Sequence, residues 1–224
     1  MGNFELTSEG FAVIKNDTHL SQWVKEHKRL DFDQNALPCV LPYIKEGDIV
    51  IDAGANMGCY SYAFLNKVGI TGEVYCFEPS KEAYECLVYN LGKKQNCMLF
   101  NMALGCETGS VNVIQENQNA GMNYCQTSKA GKIPLRTIDS FNFHKVDFIK
   151  IDVEGFELMV LQGAIKTLTN FKPVLYIEIN SHTLARAGVR SEDIFLFLDS
   201  LNYKYRNIYP YQKMEGEQYD IICF

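Results

Sequence analysis

The stretch "DIVIDAGANMGCYSYAF", residues 48–64, constrains the fold more than any other. A short apolar run ends in a carboxylate, Asp52, then passes through a turn with Gly54 and Gly58 into a helical pattern. Apolar runs at 73–78, 97–104, 146–152 and 173–179 repeat the theme, with helical patterns at 57–68, 80–92 and 156–169 between several of them. Continuous apolar runs are strands covered on both faces, and strand–helix–strand order implies parallel crossovers. The expected fold class is α/β, an open doubly wound sheet. Asn56 is expected to cap the helix that ends at Gly69 and Ser80 one that ends near Gly92, with 166–170 closing a third.

The flanks depart from that rhythm. Residues 1–46 read as a preparatory segment: a strand-like "GFAVI", a helix from about His19 to Arg29, then "NALPCVLPYI". The tail offers a helix at 194–201, then "YKYRNIY" and "YDIICF", two strands that would add an antiparallel edge. Residues 105–145 interrupt the alternation with extra strands and the polar stretch 115–132, whose Asn/Gln-rich part suits a lid or a substrate-facing loop. The expected organisation is one domain over 1–224, its core at 47–224.

A net charge of −6 without a large basic cluster argues against nucleic acid as a partner. No run approaches membrane-spanning length and no targeting signal is legible, so neither a membrane nor a secretory route is expected. The eight cysteines contain no C-x-x-C pair, and the four histidines lack ligand-like spacing to them. Reduced, mostly buried thiols of a cytoplasmic protein are expected, with no zinc site.

In open parallel sheets ligands bind beyond the carboxyl ends of the strands, near the point where strand order reverses. A dinucleotide fingerprint aligned from Gly54 would place glycines at 56 and 59, where Asn56 and Cys59 stand. Asp52 would also face the pyrophosphate with a like charge. A nicotinamide-dependent oxidoreductase is therefore the weaker reading. A cationic nucleoside, S-adenosylmethionine, suits the turn: Asp52 could accept from its ammonium group, and Gly54 and Gly58 could let the backbone approach it. Asn56 is tolerable there because asparagine enters the left-handed region more readily than most residues. Glu78, 24 positions after Gly54, ends the next strand at about the spacing of an acid that meets ribose hydroxyls. Such charge-assisted bonds contribute roughly 1.5–3 kcal/mol each.

Together "VIDAGANMGCYS", "CFEPS", "NMALG", "DFIKIDVEGFELMVLQGA" and "KPVLYIEI" resemble, in order and spacing, the FkbM-type methyltransferases. The resemblance runs from about Gly47 to Ile179. It implies the class I Rossmann-like methyltransferase fold, S-adenosylmethionine as cofactor, and O-methylation of a hydroxyl on a sugar or other small natural product. It places Asp52, Gly54, Ala55, Asn56 and Gly58 at the methionine end and Glu78 with Pro79 at the ribose. Asn101, Met102 and Ala103 lie by the adenine, and Tyr60 and Ser61 in the first helical turns join them.

For proton removal from the acceptor, the candidates are Asp152, Glu154, Glu178 and His182, with Asp152 first because it closes the fourth strand beside the expected methyl position. A positioned base is worth about a hundred- to ten-thousandfold. Lys150, two residues before Asp152, shares its face and reads as an internal ion pair or a lysine reaching solvent. A carboxylate cluster also permits a divalent cation, although none is required. The tyrosines 203, 205, 209 and 211 either stack on a ring-shaped acceptor or pack an edge strand. A third possibility is a nucleoside-binding module without turnover. The identity of the acceptor and the oligomeric state are not legible.

Overall fold

The structure, a computed structural model, describes residues 4–115, 119–209 and 211–224. It opens with a hairpin, β1 (Phe4–Leu6) and β2 (Ala12–Ile14), then α1 (Leu20–His27) and α2 (Leu37–Val40). The main alternation follows: β3 (Ile49–Ala53), α3 (Cys59–Val68), β4 (Glu73–Phe77), α4 (Lys81–Leu91) and β5 (Cys97–Phe100). Next come four strands of a second sheet: β6 (Ala103–Leu104), β7 (Gly109–Ile114), β8 (Tyr124–Thr127) and β9 (Ile133–Arg136). The chain returns through β10 (Phe148–Ile151), α5 (Glu157–Gln162), α6 (Ile165–Phe171) and β11 (Val174–Asn180). It ends with α7 (Ser181–Arg186), α8 (Ser191–Ser200), β12 (Tyr205–Asn207) and β13 (Gln218–Cys223).

The main sheet has seven strands in the order β12-β13-β11-β10-β3-β4-β5. β11, β10, β3, β4 and β5 run parallel, whereas β13 lies antiparallel between β11 and β12. From β3 the chain steps outward through β4 and β5, then resumes on the other side of β3 at β10. The reversal of strand order therefore falls between β3 and β10, where a crevice is expected.

Alternation along the strands divides two cores. Val50, Phe148, Tyr176 and Ile222 face α3, α4 and the amino-terminal segment, packing with Phe64, Leu87 and Leu91. Ile51, Ile149, Ile151 and Ile177 face α5, α6 and α8, with Val160, Leu168 and Leu198. The Asn90 side chain accepts from the Ala12 amide at 2.8 Å and donates to the carbonyls of Ala12 and Met57, tying β2 to the turn after β3.

Several elements differ from the sequence expectation for local reasons. The apolar run 97–104 divides because Ala103–Leu104 pairs with β9 in the second sheet rather than extending β5. The helix expected over 156–169 is two helices. The second is capped from outside, since the Asp139 carboxylate accepts from the amides of Lys166 and Thr167 and from the Thr167 hydroxyl. Asn56 does not cap α3; its side-chain oxygen Oδ1 accepts from the Met57 amide, and Gly58 occupies the cap position. Ser80 does stand at the cap of α4, but its hydroxyl turns to Glu82 at 3.4 Å. The short helices α2 and α7 carried no periodic signal.

Gly58 has φ +97°, and a β-carbon there would lie 2.9 Å from methyl carbons of both Leu87 and Leu91. Gly58→Ala should therefore destabilise the chain by about 1–3 kcal/mol, from left-handed strain and overpacking together. Urea denaturation checks this, and an unchanged midpoint would contradict the packing described.

Candidate functional site

A cavity of about 430 Å³ opens beyond the carboxyl ends of β3, β10 and β11. Its edge at the β3–β4 side is formed by Gly54, Ala55, Asn56, Glu78 and Pro79, with Met102 and Ala103 beside them. Asn56 has φ +49°, the left-handed conformation anticipated for it. Gly54 has φ +83°, and a β-carbon there would fall 1.8 Å from the carbonyl oxygen of Asp152. Its bareness thus serves the close approach of β3 to β10, whereas Gly58 serves helix packing and does not line the cavity.

Glu78 is the acid at this end. One carboxylate oxygen accepts from the Asn56 amide at 2.8 Å and the other from the Ser80 amide at 2.7 Å. Two backbone donors fix the carboxylate in orientation and leave it lone pairs for a ligand. Asn101 is not part of the cavity lining; its side-chain amide donates to the carbonyls of Glu78 and Pro79 and so braces that loop.

Asp52 departs from expectation. It is completely enclosed and does not border the cavity. The Ser61 hydroxyl donates to it at 2.5 Å, and the Lys150 ammonium lies 3.5 Å from its other oxygen. Ser61 is likewise enclosed, so neither side chain reaches a ligand in the cavity. The acid that does emerge is Asp152, half-buried and 3.1 Å from the same Lys150 ammonium. Lys150 also donates to the Gly54 carbonyl at 3.2 Å and lies 5.1 Å from the centre of the Tyr60 ring. Burial works against the Lys150 charge, but Asp152 and Asp52 outweigh it and hold the proton above the ordinary lysine value. Burial also raises the Asp52 carboxyl, with Lys150 and Ser61 drawing it part of the way back.

The register of the sheet explains the arrangement. Tyr176, Lys150, Asp52 and Cys76 are lateral neighbours on β11, β10, β3 and β4, and they form an inner polar row. One step further out lie Glu178, paired across from Asp220, and Asp152, which follows Ile151 beside Ile177. This outer row borders the cavity together with Glu154. Carboxylate oxygens of Asp152, Glu154 and Glu178 lie within 4.8 Å of one another. Oxygen ligands so spaced suit a hard divalent cation. The loop carrying Glu154 is pinned by Glu157, which accepts from the amides of Val153 and Gly155, each at 3.1 Å. Glu154 itself has φ +55°.

The remaining wall comes from three places. Tyr60 donates to Asp33 at 2.8 Å, and its hydroxyl lies 3.1 Å from that of Tyr176. His19, Leu20 and Phe32 contribute from the amino-terminal segment. Residues 119–123 and Cys125 contribute from the polar insertion, where the Ala120 amide donates to Asp17 at 3.0 Å. The Asn/Gln-rich stretch thus faces the cavity as well as belonging to an added sheet, although its residues 116–118 lie outside the described ones. His182 is exposed at the start of α7 and does not reach the cavity. Of the tail tyrosines, Tyr203 is buried against the Pro173 carbonyl and Tyr205 packs on Phe195, Tyr209 packs against the core, and Tyr211 is fully exposed. Asp33, Tyr176 and Asp220 were not anticipated. The alternation of Tyr176 and Glu178 in "VLYIEI", in step with Lys150 and Asp152, was the available signal for the second of them.

Burial dominates the acids of this region. It pushes Glu78 and Asp220 up to about 7, Glu157 to about 7, Glu154 to about 8 and Glu178 to about 9. Each folded value exceeds the unfolded one, so the folded chain binds more protons than the unfolded chain across this interval. Stability is then greatest on the acid side and falls as pH rises through these values. The melting temperature should drop by about 5 °C or more between pH 5.5 and pH 8.5. A flat or rising profile in a thermal scan would contradict the burial of uncompensated carboxyls.

The comparisons with known proteins agree with this fold. Residues 52–205 match the Methyltransferase FkbM domain family. The hexuronic acid methyltransferase AglP of Haloferax volcanii is 25% identical over 169 residues, covering 72% of this chain and 66% of that protein. The crystal structure of methyltransferase FkbM from Methylobacillus flagellatus KT superposes with a TM-score of 0.51 at 18% identity, over 81% of this chain and 44% of that one. Aeropyrum pernix fibrillarin, solved with natively bound S-adenosyl-L-methionine, superposes with a TM-score of 0.50 at 14% identity, over 84% of this chain and 73% of that one. The chain thus spans somewhat under two thirds of the curated relative and under half of the FkbM structure. Among the described residues no helix is long and apolar enough to cross a membrane. The fold is the Rossmann-like class I methyltransferase fold, and the chain belongs to the FkbM methyltransferase family, whose cofactor is S-adenosylmethionine.

Proposed function

We propose that this protein transfers a methyl group from S-adenosylmethionine to a hydroxyl oxygen of a sugar or a similar small polyhydroxylated molecule. The observation that carries the reading is the cavity at the strand-order reversal, with Glu78 fixed at one end and Asp152, Glu154 and Glu178 at the other. Family membership supports methyl transfer, and the name of the hexuronic acid methyltransferase supports a sugar.

In this reading Glu78 accepts from the two ribose hydroxyls, and Pro79, Met102 and Ala103 flank the adenine. The backbone from Gly54 to Asn56 meets the methionine end. Asp152 rather than Asp52 is the acid available to its cationic group, because Asp52 is enclosed. When bound, the cofactor supplies the leaving group: the carbon–sulfur bond breaks with its electron pair on sulfur as the carbon–oxygen bond forms. The protein must align the acceptor and receive its proton. Alignment can provide about 7–11 kcal/mol at best. Lys150 holds Asp152 in place, and Asp152, Glu154 and Glu178 are grouped at this end, where an ionised carboxylate among them takes the proton.

S-adenosylmethionine should raise the melting temperature by mass action, and Glu78→Ala should weaken its binding about tenfold or more, on the order of the lost diol bonds. Unchanged affinity in that variant, with the fold intact, would remove Glu78 from the site. Asp152→Asn should weaken cofactor binding and lower turnover with it; unchanged affinity and full activity would refute its place at the methyl position.

A further inference from the structure

If the cofactor occupies the Glu78 end, the space left for the acceptor lies against β10, β11 and β13. Its charged lining there is Asp33, Asp152, Glu154, Glu178 and Asp220. Lys150 is the only lysine or arginine among the described lining residues, and its ammonium is committed to Asp52, Asp152 and the Gly54 carbonyl. Among the described residues no lysine or arginine nitrogen comes within 4.0 Å of Glu154, Glu178 or Asp220. Arg186 acts on Glu154 from farther away and does not line the cavity.

The partners already present leave these acids unequal. Asp33 is satisfied by the Ala36 amide and the Tyr60 hydroxyl. Glu178 receives one hydrogen bond, from the Gln218 side chain at 2.7 Å. Glu178 and Asp220 are opposed across β11 and β13, and Glu154 sits in the cluster with Asp152. On the inner side of these acids the hydroxyls of Tyr60 and Tyr176 lie 3.1 Å apart, and both residues line the cavity. Among the described residues no cationic side chain pairs with Glu154, Glu178 or Asp220, so an ammonium supplies the counter-charge they lack. A carboxylate on the acceptor would add to the repulsion instead.

Resting on the methyltransferase reading, we propose that the acceptor chamber takes a hydroxylated ring that also bears an ammonium group, an amino sugar, and rejects rings that bear a carboxylate. The ammonium lies among Glu154, Glu178 and Asp220, and the methylated hydroxyl lies beside Asp152. The hydroxyl proton passes to a carboxylate as oxygen takes the methyl group, and the amine keeps its own protons.

The test uses labelled S-adenosylmethionine with the methyl glycosides of glucosamine, N-acetylglucosamine, glucose and glucuronic acid, with the label located on oxygen by fragmentation. The expected kcat/KM is at least tenfold higher for the glucosamine glycoside than for the neutral pair, and lowest for the glucuronide. Asp220→Asn should reduce the amine preference threefold or more with the melting temperature maintained; an unchanged ratio contradicts the electrostatic assignment. A glucuronide or N-acetyl acceptor that equals or exceeds the amine overturns the proposal. Transfer to none of the four, with the S-adenosylmethionine melting shift intact, also overturns it while leaving the methyltransferase reading in place. Loss of that shift would instead remove the reading beneath it.

Discussion

A buried ammonium holds this site together. Lys150 lies in the centre of a seven-stranded sheet, with Asp52 on one neighbouring strand and Asp152 two residues along its own. Removing one charge from water is costly, and enclosing both Lys150 and Asp52 without mutual pairing would be prohibitive. Here one cation serves two anions, a backbone carbonyl accepts a further hydrogen bond from it, and the Tyr60 ring covers part of the remaining face. The consequence is a division of labour between two acids that look alike in the sequence. Asp52 becomes internal scaffolding, and Asp152 is presented to the cavity with a fixed orientation.

That division could not be read from the strand pattern. Asp52 and Glu78 each end an apolar run before a turn, and both were expected to meet the ligand. Glu78 does border the cavity, its carboxylate held there by the amides of Asn56 and Ser80. Asp52 does not, because the residue beside it on β10 is a lysine that outcompetes any ligand for its carboxylate. The relevant pairing connects positions 98 apart and depends on strand order. By contrast, the alternation of strands and helices, the antiparallel carboxyl-terminal edge and the left-handed Asn56 were all legible, since each follows from local spacing and residue type. The split of 156–169 was not, as the cap on its second half comes from Asp139, in the insertion.

Distant segments complete the enclosure in a similar way. Asp17 joins the amino-terminal segment to residue 120 of the insertion, and Asp33 reaches Tyr60 on α3. Both additions to the parallel core therefore turn toward the strand tips, where a methyl acceptor must be shielded and held. Asp52 does not itself repel a pyrophosphate, because Lys150 offsets its charge; the departures from the dinucleotide fingerprint at Asn56 and Cys59 remain.

The central claim, that Lys150 remains charged inside the sheet as the shared counter-ion of two carboxylates, is tested most directly by its own titration. Nitrogen-15 resonance of labelled lysine side chains, with Lys150→Met used to assign the signal, reads that protonation state. The account predicts an ammonium that keeps its proton to a higher pH than the surface lysines. A Lys150 amine that deprotonates below them would contradict it.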